Sequence, residues 1–192
     1  MLTWLQRDAD GKKPLLRELL ELGLLIIFVV IPFRMFIATP YIVSGASMST
    51  TYETGHYLII NKLFYTQSGE VKRGDVLVVD SPVDEEKDYI KRVIGLPGET
   101  VKIKDGTVTI FSPTLPQAGL VLDEPYTKNQ TTGTQTTTLG PEEYFLMGDN
   151  RQNSFDSRSW GPLPAANIQG EPFVRLYPFG QIDWMPGRFI FE

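Results

Sequence analysis

The run Leu22–Phe33, LGLLIIFVVIPF, carries no charge, and no other stretch of the chain restricts its own environment so severely. A bilayer core takes about 20 helical residues, more than this run alone supplies. Leu15, Leu16, Leu19 and Leu20 extend it upstream, Met35–Ala38 continue it downstream, and Arg34 can snorkel its charge to the far interface. Residues 19–38 are therefore expected to form one transmembrane helix, which Pro32 ends or kinks near its outer end. The competing readings are a cleavable leader and a buried helix of a soluble domain. Cleavage after Ala38 would put Phe36 where a small side chain is needed, which favours an uncleaved anchor. Arg7, Lys12, Lys13 and Arg17 precede the run, and after Arg34 the next cation is Lys62. That bias places residues 1–18 in the cytoplasm and residues 39–192 outside it, as a single-pass protein of the cell membrane.

The rest of the chain excludes several chemistries. A net charge of −5 without a basic stripe argues against nucleic acid as a partner. No cysteine is present, so disulfides, thiolate metal sites and thiol nucleophiles are excluded. One histidine, His56, rules out a site built on several imidazoles, and a Ser-His-Asp triad would have to use it. Its place between the turn Glu53–Gly55 and an alternating segment reads as a strand edge.

Past Tyr41 the texture is short β-prone segments between Gly, Pro and Asp clusters: HYLIINKLF, DVLVVDS, DYIKRVIG, VKIKD-G-TVTIF, EYFLMG, EPFVRLYPF and GRFIF. The expected fold is mainly β, an antiparallel sandwich or barrel-like domain. Residues 128–143, KNQTTGTQTTTLGPEE, read as a mobile polar loop, and Asn129-Gln130-Thr131 is formally a glycosylation acceptor.

SGASMSTT, residues 44–51, places Ser47 just beyond the apolar run. A serine beside Gly and Thr is commonly a turn or cap residue; as a nucleophile it needs a base. Most lysines past the run sit among charges or turns, as do Lys72, Lys87, Lys102, Lys104 and Lys128. Lys91, in DYIKRVIG, shares a strand face with Tyr89 and Val93, while Ile90, Arg92 and Ile94 point the other way. Burial there would lower its pKa and let it accept a serine proton; the alternative is a packed stem with a snorkelled head. A third cluster, GDNRQNSFDSRSWGPLP, residues 148–164, is dense in side chains that bond backbone and one another. Its Asp156-x-Arg158 pair could lock the loop, and a serine there could donate to a neutral lysine; a polar turn is the plainer reading.

The apolar run followed by VSGASM, then GHYLIINKL, RGDVLVVDSPVDEEKDYIKRVIGLPGETV and EYFLMGDNRQNSFDSRSWGPLP, in that order, resemble bacterial type I signal peptidases. These are membrane-anchored Ser-Lys endopeptidases of peptidase family S26, and the likeness covers about Leu19 to Pro178. The resemblance implies Ser47 as nucleophile and Lys91 as general base, with Ser154 orienting the lysine. It implies a salt-bridged Asp156–Arg158 pair in support, and Met48, Tyr89 and Ile90 along a substrate groove for small residues at −1 and −3. It also implies a small variable excursion of the β domain near residues 105–140. No metal or organic cofactor is implied. The implied partners are signal peptides of exported preproteins, the lipid bilayer and the neighbouring export translocon.

Two positions depart from the family pattern. Thr50 stands where proline is usual, which would loosen the turn after Ser47, and Gly45 stands where some members carry a serine that donates to the oxyanion hole. The hole would then rest on the Ser47 backbone N–H, alone or with a further backbone donor. Two other functions compete: a Ser-Lys self-cleaving regulator, and a non-catalytic membrane-anchored β module that binds exported chains.

Overall fold

The computed structural model describes residues 15–31, 38–63, 70–84 and 86–191. The chain divides into two compact units, residues 1–39 and 40–192. In the first, an α-helix over Leu15–Leu25 passes into a π-helical turn over Ile26–Val30, and every apolar side chain from Leu24 to Ile31 is exposed. No helix among the described residues is long and apolar enough to cross a membrane. Pro32, Arg34 and the rest of 32–37 lie outside the described residues, as do Arg7, Lys12 and Lys13. Ala38, the last residue of the expected span, instead opens a strand, because Thr39 precedes Pro40 and is pushed towards extended backbone.

Among the described residues twelve strands follow: β1 (Ala38–Ile42), β2 (Tyr57–Asn61), β3 (Val76–Asp80), β4 (Asp88–Gly95), β5 (Thr100–Lys104), β6 (Thr107–Phe111), β7 (Leu120–Val121), β8 (Gln135–Thr138), β9 (Glu143–Met147), β10 (Leu163–Pro164), β11 (Ile168–Tyr177) and β12 (Asp183–Trp184). They form an eight-stranded sheet ordered β1-β2-β11-β3-β4-β9-β10, with β12 against β11, and a four-stranded sheet ordered β7-β6-β5-β8. Every pairing among β2 to β12 is antiparallel, so the mainly β, antiparallel expectation holds.

The apolar patterning explains the layers. Val76-Leu77-Val78-Val79 is buried on both faces, as a central strand between β11 and β4 must be. Val76 and Val78 join Val43, Met48, Tyr52, Leu58 and Ile60 in one core, while Leu77 and Val79 join Val71, Val93, Tyr144, Leu146 and Leu163 in another. A third core, including Ile94, Val101, Ile110, Phe145 and Met147, ties β4 and β9 to the smaller sheet. Each fully buried Leu or Ile contributes about 2 kcal/mol by leaving water.

The structure corrects three details. The smaller sheet begins at Thr100 rather than near 105, since β5 pairs with β6 across the tight Asp105-Gly106 turn. Gln135–Thr138, read as loop, is β8: its β-branched threonines suit an edge strand, and Thr137 lies opposite Val101. Residues 187–191, read as a strand, form none; Phe189 and Phe191 stack edge to face on Tyr126 instead.

Candidate active site

Lys91 sits in the middle of β4 opposite Leu77, between half-buried Ile90 and buried Arg92. The residue is 3% exposed, and its Nζ lies 5.1 Å from the centre of the Tyr89 ring. Nζ and Ser47 Oγ are 2.8 Å apart, and Nζ donates to Ile90 O at 3.0 Å. Burial pushes the Lys91 pKa down from 10.5 to about 8; the carboxylates of Asp156 and Asp149 oppose the shift and are outweighed. About a tenth of the amine is then neutral at pH 7, and that fraction can accept the Ser47 hydroxyl proton across the 2.8 Å contact.

Ser47 occupies the turn between β1 and β2. Backbone bonds from Thr51 and Tyr52 to Met48 O close that turn, and Thr50 Oγ1 donates to Tyr126 O at 3.3 Å. Gly45 has φ +100°, a conformation that favours glycine, with open space where a side chain would stand. Thr54 Oγ1 accepts from the Gly45 N–H at 3.1 Å and donates to its carbonyl at 3.0 Å.

The third wall is the loop after β9. Asp156 caps the short helix Ser157–Trp160, accepts from the Gly148 N–H at 3.0 Å and pairs with both Nε and an NH2 of Arg158, at 2.8 and 2.7 Å. Burial alone would raise the Asp156 pKa; the Arg158 guanidinium, the Gly148 N–H and the nearby Ser154 hydroxyl outweigh it and hold the carboxyl below its usual range. Ser154 Oγ is buried and makes no hydrogen bond of good geometry among the described residues, to Lys91 or to Asp156.

Ser47 and Lys91 stand where two grooves meet. One, of about 220 Å³, is lined by Tyr41, Val43, Leu58, Val78, Tyr89 and Ile90 beside Ser47 and Lys91. The other, of about 470 Å³, runs past Gly45, Gln152, Ser154 and Phe155. Tyr89 and Ile90 therefore line a groove, whereas Met48 does not: it is 1% exposed and packs in the core beneath the turn. His56 lines neither groove; it is buried ahead of β2, where its Nδ1 accepts from the Glu53 N–H at 3.2 Å and burial lowers its pKa.

Several residues that shape the site carry no separable signal in the sequence. Arg92, behind Lys91, pairs through Nε and an NH2 with both Asp149 oxygens at 2.8 and 2.6 Å, and lies 4.0 Å over the Tyr126 ring. Arg151 pairs twice with Glu124, at 2.8 and 2.6 Å, and donates to Thr131 Oγ1 at 2.6 Å. The segment read as a glycosylation acceptor is thus used internally, with Thr131 buried and Asn129 Nδ2 donating to Asn150 Oδ1 at 2.7 Å.

Gly148 is the tightest contact. A Cβ there would stand 2.3 Å from Ser154 Oγ and 2.4 Å from Ser47 O. The serine hydroxyl can rotate away, but the Ser47 carbonyl moves only with its own backbone. Gly148→Ala is therefore expected to displace Ser47 from Lys91 and lower kcat about 10²-fold, with a smaller change in KM. Steady-state kinetics on the purified variant check this; unchanged kcat would show that the turn yields without moving Oγ.

Comparison with known proteins now gives the class. Residues 16–177 match the family described as signal peptidase, peptidase S26, and the chain belongs to that family of peptidases. Signal peptidase I of Bacillus licheniformis is 33% identical, over 92% of this chain and 97% of its own. Signal peptidase I T of Bacillus subtilis (strain 168) is 37% identical, over 78% and 79%. A solved signal peptidase I from Enterococcus faecalis V583 is 31% identical, covers 53% of this chain and 96% of that chain, and has a TM-score of 0.45.

Proposed function

We propose that the chain is a membrane-anchored serine endopeptidase that removes signal peptides from exported preproteins through Ser47 and Lys91. The observation that carries this reading is the 2.8 Å contact between Ser47 Oγ and the amine of a lysine that is 3% exposed. Neutral Lys91 takes the Ser47 proton as Oγ bonds to the carbonyl carbon after the signal peptide, and the π pair moves to oxygen. The Ser47 N–H holds that oxyanion. Lys91 then gives the proton to the leaving amine of the mature protein, whose C–N bond breaks. In the second half neutral Lys91 takes a proton from water, hydroxide attacks the ester, and the proton returns to Ser47 as the signal peptide leaves. Ser154 and the Asp156–Arg158 pair support the site. The groove along Tyr89 and Ile90 takes the segment before the cut bond, with small side chains at −1 and −3.

The apolar segment from Leu19 up to the start of β1 anchors the chain once, with residues 1–18 cytoplasmic and the β domain carrying out the reaction on the outer side, beside the export translocon. Exposed Phe173, Tyr177, Phe179, Ile182 and Trp184 at one end of the large sheet support a catalytic domain resting on lipid, where such amphipathic rings are favoured. The test is cleavage of a preprotein in detergent. Wild type cuts at the signal-peptide junction, and Ser47→Ala gives no product above the uncatalysed background. Cleavage by that variant at the wild-type rate sinks the assignment.

A further inference from the structure

The Ala46–Ser47 peptide is trans, so the Ala46 carbonyl and the Ser47 N–H point in opposite directions from one rigid plane. Whatever grips the carbonyl aims the N–H. Asn150 Nδ2 donates to Ala46 O at 2.9 Å, and the Asn150 backbone N–H donates to Ser47 O at 3.0 Å. One residue therefore holds the carbonyls on both sides of the Ser47 Cα, with the Ser49 N–H as a second, longer donor to Ala46 O at 3.2 Å, while the Ser47 N–H has no acceptor among the described residues. Asn150 is itself 5% exposed and fixed from behind: its Oδ1 accepts from Asn129 Nδ2 at 2.7 Å, which leaves the Asn150 amide nitrogen turned to Ala46. Asn129 belongs to the segment between β7 and β8, far in sequence from Ser47.

We propose that Asn150, braced by Asn129, is the positioning residue that aims the Ser47 N–H at the developing oxyanion. The proposal rests on Ser47 being the nucleophile. Gly45 supplies no hydroxyl to the hole, so the direction of this N–H decides how well the negative oxygen is met. An oxyanion donor must lie within about 3 Å of where the charge forms, and removing one costs about 10²- to 10³-fold in kcat. A donor tilted by release of its peptide plane loses part of that. The brace also connects the β7–β8 segment of the smaller sheet to the turn that carries Ser47, through a side chain rather than through the substrate groove.

The test uses the full chain with Asn150→Asp, Asn150→Ala and Asn129→Ala. Asn150→Asp keeps its size and its acceptor for Asn129 but has no donor for Ala46. Both Asn150 variants are expected to lose about 10- to 100-fold in kcat with KM within about threefold, and Asn129→Ala to lose less in the same direction. In Asn150→Ala and Asn129→Ala the pH at which kcat/KM turns should stay unchanged, because neither adds a charge near Lys91, whereas Asn150→Asp adds a carboxylate beside Asp149 and is read by kcat and ligand binding alone. A peptide aldehyde, which forms a tetrahedral adduct on a serine, should bind more weakly in proportion to the loss in kcat/KM, while a non-reactive peptide binds as before. Retention of kcat within about twofold in the Asn150 variants overturns the proposal. So does a loss accompanied by equal weakening of the non-reactive peptide and a shifted pH profile, which would mark a purely structural role. Should the Asn150 variants fail to fold, Asn129→Ala decides by the same two ligands. Ser47→Ala is run alongside: full activity there removes the nucleophile reading itself, whereas an inactive Ser47→Ala beside fully active Asn150 variants removes only this proposal.

Discussion

Lys91→Met is expected to abolish turnover while making the folded chain more stable. Loss of the proposed general base should lower kcat by on the order of 10⁴-fold. The gain comes from the same burial that lowers the pKa of the amine. A lysine held at about pKa 8 instead of 10.5 opposes folding by about 3 kcal/mol wherever both the folded and the unfolded chain carry the proton, which means below about pH 8. Between about pH 8 and 10.5 the unfolded chain still binds the proton that the folded chain has lost, so the penalty fades and wild-type stability rises with pH. Methionine fills similar volume without a charge. Losing the contacts to Ser47 Oγ and Ile90 O costs about 1 kcal/mol, leaving a net gain of about 2 kcal/mol at pH 7. Urea midpoints of wild type and variant at pH 7 and pH 10 read this directly. The variant should lead at pH 7 and its lead should shrink at pH 10; a less stable variant at pH 7 contradicts the buried-charge explanation.

Breaking the Arg92–Asp149 pair should do the most damage to the fold. Both side chains are essentially inaccessible, at 1% and 0%, and Arg92 also donates to Gly74 O and Gly187 O at 2.7 and 2.8 Å. Arg92→Ala leaves the Asp149 carboxylate buried with only Thr51 Oγ1 as a side-chain donor among the described residues, and should cost about 3–5 kcal/mol. Asp149 lies between Gly148 and Asn150, so kcat should fall as well. Arg92→Lys should recover little, since one ammonium cannot reach both carboxylate oxygens and two carbonyls. Replacing the pair together, Arg92→Met with Asp149→Leu, should cost less stability than Arg92→Ala alone, because no charge is then left unpaired. A fully additive loss in the double variant would show that the pair matters for shape rather than charge.

The strands were legible where side-chain alternation faces a core, as in DYIKRVIG and VLVVD, and where a turn announces itself, as at Asp105-Gly106. Legibility failed at edges. The threonines of β8 look like loop because an edge strand needs no apolar face, and Phe189 and Phe191 look like strand although their rings are used in stacking. The face of β4 could be read, so Lys91 with Tyr89 on one side and Arg92 on the other followed from period two alone. What Arg92 meets could not, because Asp149 is 57 residues away. Met48 shows the same limit, since adjacency to Ser47 in sequence does not tell whether its side chain faces the groove or the core. Gly148 and Asn129 had no separable signal: one matters for an atom it lacks, the other through a contact 21 residues along the chain.

The most direct measurement of the central claim, a buried neutral lysine activating Ser47, is kcat/KM for preprotein cleavage between pH 6 and pH 9. The expected result is a rise with unit slope on the acid side that levels near the Lys91 value of about 8. A flat profile across that range, or one that falls as pH rises from 6 to 8, would contradict it.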